Sequence, residues 1–429
     1  MSKQLENISS LNLDEQGVCS TDQENLVAFG ALPHETIDVA PITRKAKKLF
    51  ARTIAVHKAS SDRVAPPCSV ANYCGGCQFQ HMAMSAQLTF KQHQVEQEFA
   101  GCEPTTWFDP ISAGSVNYRT KARLGVKFVD KKQKLLVGFR ETMKPYIAET
   151  TSCPVLKAPA DDLIQPLAQL IASLSVVRAL PQVELAMGDT GIALIFRHLE
   201  PLTEEDHVRL IEFAVERNVQ IYLQPGNAES VHKLYPSDAV ERLYYQLPEL
   251  DLEFAFHPLD FTQVNLAANQ QMVSKALAIM SLNERDKVLD AFCGIGNFSL
   301  ALARHAGEVV GLEVSEGSVS RARENQHRNH LSNASFEVAD LFKDDSQVID
   351  LKAYSKVFLD PPRTGAEALC KILASSNVER VGYVSCNPKT LSRDARMLVA
   401  GGFELQQLGI INMFPHTAHI ESMALFTRR

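Results

Sequence analysis

The chain has 429 residues, of which 45% are hydrophobic and 22% charged, and its formal net charge is −7. These values are ordinary for a globular protein of two or three domains. The sequence contains no apolar run long enough to cross a membrane and no apolar segment with a cleavage site near its start, so we expect a cytoplasmic protein with no membrane partner. Its nine cysteines, an odd number, argue against a disulfide framework.

Positive charge is concentrated in two segments of a chain that is acidic elsewhere. Residues 41–64 carry a formal charge of +6 and residues 117–144 carry +7, so the remainder carries −20. Either segment alone is more simply explained as a solvated face. Together, and with Tyr118, Phe128 and Phe139 interleaved in the second, they favour an RNA or DNA partner whose phosphates bind there.

The first 62 residues predict a small β module. Short runs of apolar and β-branched residues are separated by glycines, a proline and a lysine cluster. Several short strands in about sixty residues are typical of a closed barrel that binds oligonucleotides. The predicted strands are residues 11–13, 26–29, 36–39 and 51–56.

A segment rich in proline and cysteine follows at residues 63–81. Cys68, Cys74 and Cys77 lie within ten residues of each other, and Cys153, which a proline follows, lies far downstream. Four thiolates, one of them distant and followed by proline, are typical of iron–sulfur ligation. Zinc is the competing metal because four thiolates also form tetrahedral zinc sites, although the chain has no second Cys-x2-Cys pair.

Residues 82–100 predict a helix, with apolar side chains at helical spacing. Further helices are predicted near residues 159–175 and 203–216, and a hairpin near residues 186–195. We therefore expect an α+β central domain over residues 63–250. Its helix at residues 82–100 could pack on the catalytic domain.

From residue 251 onwards strands alternate with helices, which predicts a parallel, Rossmann-like sheet covered on both faces. A helix over residues 265–280 comes first, and two segments near the end could add antiparallel strands. The predicted domains are thus 1–62, 63–250 and 251–429. The predicted parallel strands lie near residues 287–290, 309–313, 336–339, 357–359 and 381–385.

Several of these strands end in polar groups, at the edge where open α/β sheets bind ligands. After Asp290 comes a turn with Gly294 and Gly296, which lets the backbone approach a ligand closely. Glu313 ends the next strand, where an acid can bind ribose hydroxyls, and Asp340 ends the third, where it could meet an adenine amino group. The turn lacks the third glycine of the dinucleotide fingerprint, which favours S-adenosylmethionine over NAD.

Cys386, at the end of a predicted strand, is the candidate nucleophile. Thiolates are strongly nucleophilic, and a position before a helix N-terminus would lower the thiol pKa. A buried, inert cysteine is the alternative. Asp360 and the two prolines after it favour a site, since a rigid loop would aim the carboxyl into the crevice. Arg363 then stands where amine-directed nucleobase methyltransferases have an aromatic residue, so attack on an exocyclic amine is disfavoured.

Taken together, these residues resemble the RNA uridine-5 methyltransferases, in particular the 23S rRNA (uracil-5-)-methyltransferase family, over nearly the whole chain. The resemblance implies a TRAM barrel at residues 5–60 and a class I methyltransferase domain at the C-terminus. It also implies a four-iron four-sulfur cluster whose ligands are Cys68, Cys74, Cys77 and Cys153.

The same resemblance implies the roles of individual residues. Cys386 would be the nucleophile, and Glu421, in the run His416-Thr-Ala-His419-Ile-Glu421, would be the base. The residues implied to bind S-adenosylmethionine are Gln263, Phe292, Asn297, Glu313, Asp340 and Asp360. The basic residues that we expect to hold the RNA are Arg119, Lys121, Arg123, Arg140 and Arg363.

The function implied is methylation of carbon 5 of one uridine in 23S rRNA, of the position-1939 type, through a covalent adduct between Cys386 and the base, by a monomeric enzyme. A tRNA uridine-5 methyltransferase of the position-54 type is the first alternative. An RNA cytosine-5 methyltransferase and a radical methylthiotransferase are further enzymes, although their usual motifs are absent. A catalytically silent RNA-binding protein is the remaining alternative, and Cys386 and Glu421 argue against it.

Overall fold

The computed structural model of the chain describes residues 4–342 and 350–428. Three β structures follow one another in it: a closed five-stranded barrel, a six-stranded sheet and an eight-stranded sheet, with a two-stranded hairpin before the last. None of the helices within these residues is both long and apolar enough to span a membrane.

The N-terminal barrel closes because its fourth strand pairs with both its first and its fifth. Its interior is a small apolar cluster to which every strand contributes. The predicted small barrel is therefore confirmed. The strand at residues 26–29 has its predicted bounds, the other three predicted strands are longer, and the strand at residues 19–21 was not predicted. The strands are β1 (Leu5–Leu13), β2 (Cys19–Thr21), β3 (Leu26–Phe29), β4 (Thr36–Lys45) and β5 (Lys48–Lys58).

Close packing joins the barrel to the cysteine-rich segment. Gly17, in the turn between β1 and β2, has a φ of +75°, and a Cβ atom there would lie 2.2 Å from the ring of Phe79. Only glycine accepts this backbone conformation and this approach without strain. The turn is thus fixed against the residues that follow Cys77.

The central sheet has the order β12-β11-β10-β9-β7-β8, and only β10 and β11 are parallel in it. Helices α2 and α3 pack against it and against each other around one apolar cluster. The predicted hairpin is present as β9 and β10. The elements are β7 (Lys121–Val129), β8 (Lys134–Gly138), α2 (Ile164–Ser173), β9 (Gln182–Met187), β10 (Ile192–Arg197), α3 (Glu204–Arg217), β11 (Gln220–Gln224) and β12 (His232–Tyr235).

The C-terminal part begins with a hairpin and continues as the predicted alternation of strands and helices. The hairpin and helices are β13 (Leu243–Leu247), β14 (Leu252–Phe256), α4 (Leu266–Met280), α5 (Ser299–Ala303), α6 (Glu316–Arg328), α7 (Glu367–Ala374) and α8 (Pro388–Ala400). The strands are β15 (Lys287–Ala291), β16 (Glu308–Glu313), β17 (Ala334–Val338), β18 (Lys356–Leu359), β19 (Arg380–Ser385), β20 (Phe403–Ile411) and β21 (Glu421–Arg428).

The large sheet has the order β17-β16-β15-β18-β19-β21-β20-β6. Its first five strands are parallel, so their carboxyl ends meet at one edge. β21 runs antiparallel between β19 and β20, which brings its first residues to that same edge.

Two elements from the first quarter of the chain join this part of the structure: one is a strand of the sheet and the other is a helix that packs on it. β6 (Thr106–Trp107) pairs with β20, and α1 (Met84–Glu98) packs against α8 and β20. The backbone oxygen of Glu98 accepts a hydrogen bond from Ser392 Oγ at 2.6 Å, which ties the end of α1 to α8. The domain limits at residues 62 and 250 stay predictions.

Candidate active site

Cys386 is half-buried and stands between the end of β19 and the start of α8. The helix begins with Pro388, and Asn387 caps it by accepting a hydrogen bond from the backbone N–H of Lys389 at 3.2 Å. Burial, with the carboxyls of Glu421 and Asp360 nearby, raises the pKa of Cys386 to about 11. The direction is opposite to the lowering of the pKa that the sequence suggested, because burial and the two acids disfavour the thiolate in the free site.

Glu421 is brought to Cys386 by strand order. It is the first residue of β21, and Ser385 pairs with Ser422 across the antiparallel ladder. Glu421 and Cys386 therefore lie at the same end of the β19–β21 pair. Glu421 is only 5% exposed. Burial and the neighbouring Asp360 raise the pKa of its carboxyl well above the usual value. A carboxyl in this environment is suited to proton transfer.

Asp360 ends β18, and burial raises its pKa to about 7. The loop after it is anchored, because the backbone oxygen of Arg363 accepts hydrogen bonds from Asn387 Nδ2 at 2.9 Å and Thr390 Oγ1 at 3.2 Å. The guanidinium of Arg363 lies 3.2 Å from Nδ1 of His419. The Pro-Pro loop thus holds a carboxyl and a cation at the same strand ends as the thiol.

A cavity of about 520 Å³ opens over Cys386. On one side it is lined by Arg363 and His419, and on the other by barrel residues that include Gln16 and Phe29. Lys389 and Glu15, across this gap, form an ion pair with 2.5 Å between Nζ and Oε2. The thiol is therefore reached from a cleft between the barrel and the large sheet.

The glycine turn after β15 lies beside Glu313. The two carboxylate oxygens of Glu313 accept hydrogen bonds from the backbone N–H of Gly294 at 3.3 Å and of Ser315 at 2.9 Å. Phe292 in this turn has a φ of +64°, and its ring centroid lies 5.5 Å from that of Phe342. A Cβ atom on Gly294 would have no neighbour within 4 Å, so the turn faces open space.

The other predicted cofactor residues differ in their exposure to this space. Asp340 Oδ1 accepts a hydrogen bond from the backbone N–H of Phe342 at 3.1 Å. Gln263 lies half-buried between β14 and α4. Asn297 instead has its amide engaged inside the fold, since it pairs with the amide of Asn269 in both directions and accepts from Tyr245 Oη. Its predicted contact with the cofactor is therefore not evident in its hydrogen bonding.

Asp290 precedes the glycine turn, and the sequence pattern assigned no role to it. It is fully buried, and one oxygen accepts from Ser299 Oγ while the other has no hydrogen-bond partner. Burial raises its pKa to about 7. An acid at the end of a predicted strand and directly before a glycine turn was the sequence feature that could have identified it.

The four predicted cluster cysteines surround one cavity of about 200 Å³, although Cys153 is distant in sequence. The backbone N–H of Gly76 lies 3.4 Å from the sulfur of Cys74, as a donor. Burial raises the pKa of Cys74 to about 11 and of Cys77 to about 12. In the described residues, no three Cys, His, Asp or Glu side chains converge closely enough to hold a single metal ion.

The cysteine cavity and the Cys386 cavity share part of their walls. Gln78 and His419 line both, and Phe414 and Thr417 line the cysteine cavity from the loop that leads to Glu421. The cysteines, far from Cys386 in sequence, are therefore close neighbours of the active site.

The predicted RNA-binding residues are not equally available. Arg119 lines the cysteine cavity, and its Nε donates to the backbone oxygen of Lys121 at 2.9 Å. Lys121 is half-buried and donates to the backbone oxygen of Asp260, so its ammonium is engaged within the protein and does not support a phosphate contact. Arg123 is ion-paired on the surface of the central sheet, and Arg140 lines a further cavity beside the barrel.

The chain is similar to known proteins over most or nearly all of its length. The profile of the tRNA (uracil-5-)-methyltransferase family matches residues 84–429. Relatives named 23S rRNA (uracil(1939)-C(5))-methyltransferase RlmD include that of Alcanivorax borkumensis, 41% identical over 98% of this chain and 96% of the relative. The relative of the same name in Nitrosococcus oceani is 44% identical over 98% and 95%.

A solved structure matches the whole fold. It is the Pyrococcus abyssi tRNA (uracil-54, C5)-methyltransferase in complex with S-adenosyl-L-homocysteine, with a TM-score of 0.77 and 25% identity. The match covers 98% of this chain and 99% of that structure. The sequence profile, the full-length relatives and this structure agree, and the chain belongs to the family of RNA (uracil-5-)-methyltransferases.

Proposed function

We propose that the protein transfers a methyl group from S-adenosylmethionine to carbon 5 of a uridine in 23S rRNA, at the position 1939 that its relatives' name gives. The observation that carries the proposal is the placement of a thiol, Cys386, and a buried carboxyl, Glu421, at one end of the β19–β21 pair, with the thiol lining a cavity of about 520 Å³. Relatives of this name match nearly the full chain.

Cys386 and Glu421 supply the two steps that carbon 5 of uracil needs. The Cys386 thiolate adds to carbon 6, and the electron pair of the carbon 5–carbon 6 bond moves towards oxygen 4, which makes carbon 5 nucleophilic. S-adenosylmethionine, when bound, would supply an electrophilic methyl group to carbon 5, its methyl–sulfur bond would break, and S-adenosylhomocysteine would leave. The Glu421 carboxylate then takes the proton from carbon 5, the double bond forms again, and the carbon 6–sulfur bond breaks to restore the thiolate.

The turn after β15 fits a nucleoside cofactor. Glu313 is placed to accept hydrogen bonds from ribose hydroxyls, and Phe292, Phe342 and Asp340 surround the space expected for adenine. The unpartnered oxygen of Asp290 fits a polar group of the amino-acid part, and Gln263 and Asp360 face the reacting end in this proposal.

We expect Glu313→Ala to weaken binding of S-adenosylhomocysteine by about 1.5–3 kcal/mol, because charge-assisted hydrogen bonds to the ribose are lost. Titration calorimetry measures this as a tenfold or larger rise in Kd. Glu337→Ala, an exposed acid on the neighbouring strand β17, is the matched control. An unchanged Kd for Glu313→Ala would contradict the ribose contact.

We further propose that Cys68, Cys74, Cys77 and Cys153 hold a four-iron four-sulfur cluster. The thiols stand around a space larger than one ion, and in such a cluster each thiolate binds a different iron, so the sulfurs stay apart. The backbone donor at Gly76 fits the hydrogen bonds that cluster sulfurs accept. The cluster would organise the wall that the two cavities share and take no electron in methyl transfer.

Protein purified without oxygen should be brown and contain about four irons per chain. Cys74→Ser should lose colour and thermal stability together, and it should weaken RNA binding more than cofactor binding. Cys102→Ser, at a half-buried cysteine away from this cavity, is the control and should keep its iron. Stoichiometric zinc without iron would overturn the assignment.

The cavities indicate a route for the RNA. A cavity of about 980 Å³ between the barrel and the cysteine loop is lined by Lys45, Lys48, Phe50 and Arg140, and it shares Phe29 with the cavity over Cys386. Cations and aromatic rings along a groove are suited to a single strand with unstacked bases. The target uridine must leave its stack to reach the thiol. Arg119, Arg123, Arg140 and Arg363 stay predicted RNA contacts.

The function is tested with purified protein, labelled S-adenosylmethionine and two transcripts, one of 23S rRNA and one of tRNA. The expected product is 5-methyluridine in the 23S transcript alone, lost when the uridine at position 1939 is replaced by cytidine. Methylation of the tRNA alone would favour the tRNA alternative, and 5-methylcytidine would overturn the reaction. A monomeric state and a cytoplasmic location stay predictions.

A further inference from the structure

Helix α1 buries a polar face. Gln87 and Lys91, one turn apart, are 0% and 1% exposed, and Val95 continues the same face. A helix on the surface of a sheet usually buries apolar side chains. Burial of an ammonium group is costly even when it is hydrogen-bonded. The hydrogen bonds that Gln87 and Lys91 make therefore indicate why polar side chains are buried here.

Lys91 holds the chain just beyond β20. Its Nζ donates to Asn412 Oδ1 at 2.9 Å and to the backbone oxygen of Phe414 at 3.0 Å. Both acceptors are neutral, and burial lowers the pKa of Lys91 to about 7. Asn412 is itself fully buried and donates to Ser112 Oγ at 3.3 Å. The ammonium thus joins α1 to the first residues after β20.

Gln87 holds the same segment one turn away. Its Oε1 accepts from the backbone N–H of His416 at 2.9 Å, and its Nε2 lies 3.2 Å from His416 Nδ1. Nε2 also donates to the backbone oxygen of Met82 at 2.8 Å. His416 has a φ of +65°, which is unfavourable for a residue with a side chain. External contacts are what keep this backbone in place.

The cysteine loop holds His416 from the opposite side. The backbone oxygen of His416 accepts from the N–H groups of Gln78 at 2.8 Å and Phe79 at 2.9 Å, the two residues after Cys77. The β20–β21 loop, residues 412–420, is therefore held between α1 and the cysteine loop.

This loop leads directly into Glu421, the first residue of β21, whereas Cys386 lies between β19 and the cap of α8. We propose that Lys91 and Gln87 are positioning residues that hold the β20–β21 loop so that Glu421 reaches the carbon-5 proton. The inference rests on the proposed function and extends it to two residues of α1 that do not line the cavity over Cys386. Loosening the loop should slow the Glu421 step and leave addition of Cys386 intact.

The test is Lys91→Met, which keeps an unbranched side chain, one atom shorter, and removes the ammonium donors. With S-adenosylmethionine and the 23S transcript, we expect kcat to fall about tenfold or more, with the KM for RNA and the Kd for S-adenosylhomocysteine nearly unchanged. Because release becomes slow, a methylated protein–RNA adduct should accumulate on denaturing gels. Gln97→Met, which places the same side chain on the exposed face of α1, should behave as the unmodified protein.

The outcomes are separable. Failure of the unmodified protein to form 5-methyluridine would refute the proposed function before any variant is compared. A folded Lys91→Met protein with normal kcat, or with kcat lowered but no adduct, overturns the positioning role. A parallel loss of cofactor binding overturns it too, because that shows general destabilisation. If Lys91→Met does not fold, kcat, adduct accumulation and cofactor binding are measured for Gln87→Met instead, and the same outcomes support or overturn the positioning role.

Discussion

Cys386→Ala should abolish methyl transfer to RNA while binding of S-adenosylhomocysteine stays unchanged. The thiol acts on the base, not on the methyl donor, and without its addition carbon 5 of uracil stays a poor nucleophile. We expect a loss in kcat on the order of 10⁴-fold or more, as when a covalent nucleophile is removed. The loss in kcat is measured by transfer of labelled methyl groups from S-adenosylmethionine to the 23S transcript. The Kd for S-adenosylhomocysteine is measured by titration calorimetry.

Cys102→Ala is the matched control, because it removes another half-buried thiol and leaves the strand ends intact. Cys386→Ser should not restore turnover, since a hydroxyl is a far weaker nucleophile without an activating base. Normal turnover by Cys386→Ala would exclude the covalent mechanism.

Glu421→Gln should accumulate a covalent protein–RNA adduct that survives denaturation. The amide keeps the shape of the carboxyl but cannot accept the carbon-5 proton, so the thiol is not released. Since the Glu421 carboxyl also raises the pKa of Cys386, its replacement should make formation of the thiolate easier. We expect kcat to fall about 10²–10⁴-fold, and a band of protein plus RNA on a denaturing gel.

The double variant Cys386→Ala/Glu421→Gln must lose that band, which distinguishes the adduct from tight binding. Loss of activity by Glu421→Gln without any adduct would exclude Glu421 as the base that acts after addition.

Much of the site follows from where parallel strands end. Asp360 and Cys386 directly follow strands that the sequence predicts, and the carboxyl ends of neighbouring parallel strands meet at one edge. Glu421 does not follow from this rule, because β21 is antiparallel and carries its acid at the beginning. Only the order β19-β21-β20 brings it to the thiol, and strand order is not contained in periodicity.

Direction and burial of individual side chains could not be predicted either. Lys121 and Lys91 look alike in a count of charges, yet one is engaged by a carbonyl of the segment before α4 and the other by the β20–β21 loop. The pKa of Cys386 likewise depends on two acids that are remote in sequence. Such effects arise from tertiary contacts between distant segments.

The edge strand β6 pairs with β20 across a separation of about 300 residues, so the large sheet is completed late in synthesis. β21 must also be inserted between β19 and β20, and it ends at residue 428. Residues 84–107 can therefore reach these partners only after residues 403–428 have left the ribosome. A fragment that began at residue 251 would lack this strand, and β20 would present an unpaired edge to other chains. Synthesis from the N-terminus cannot finish this enzyme domain by domain.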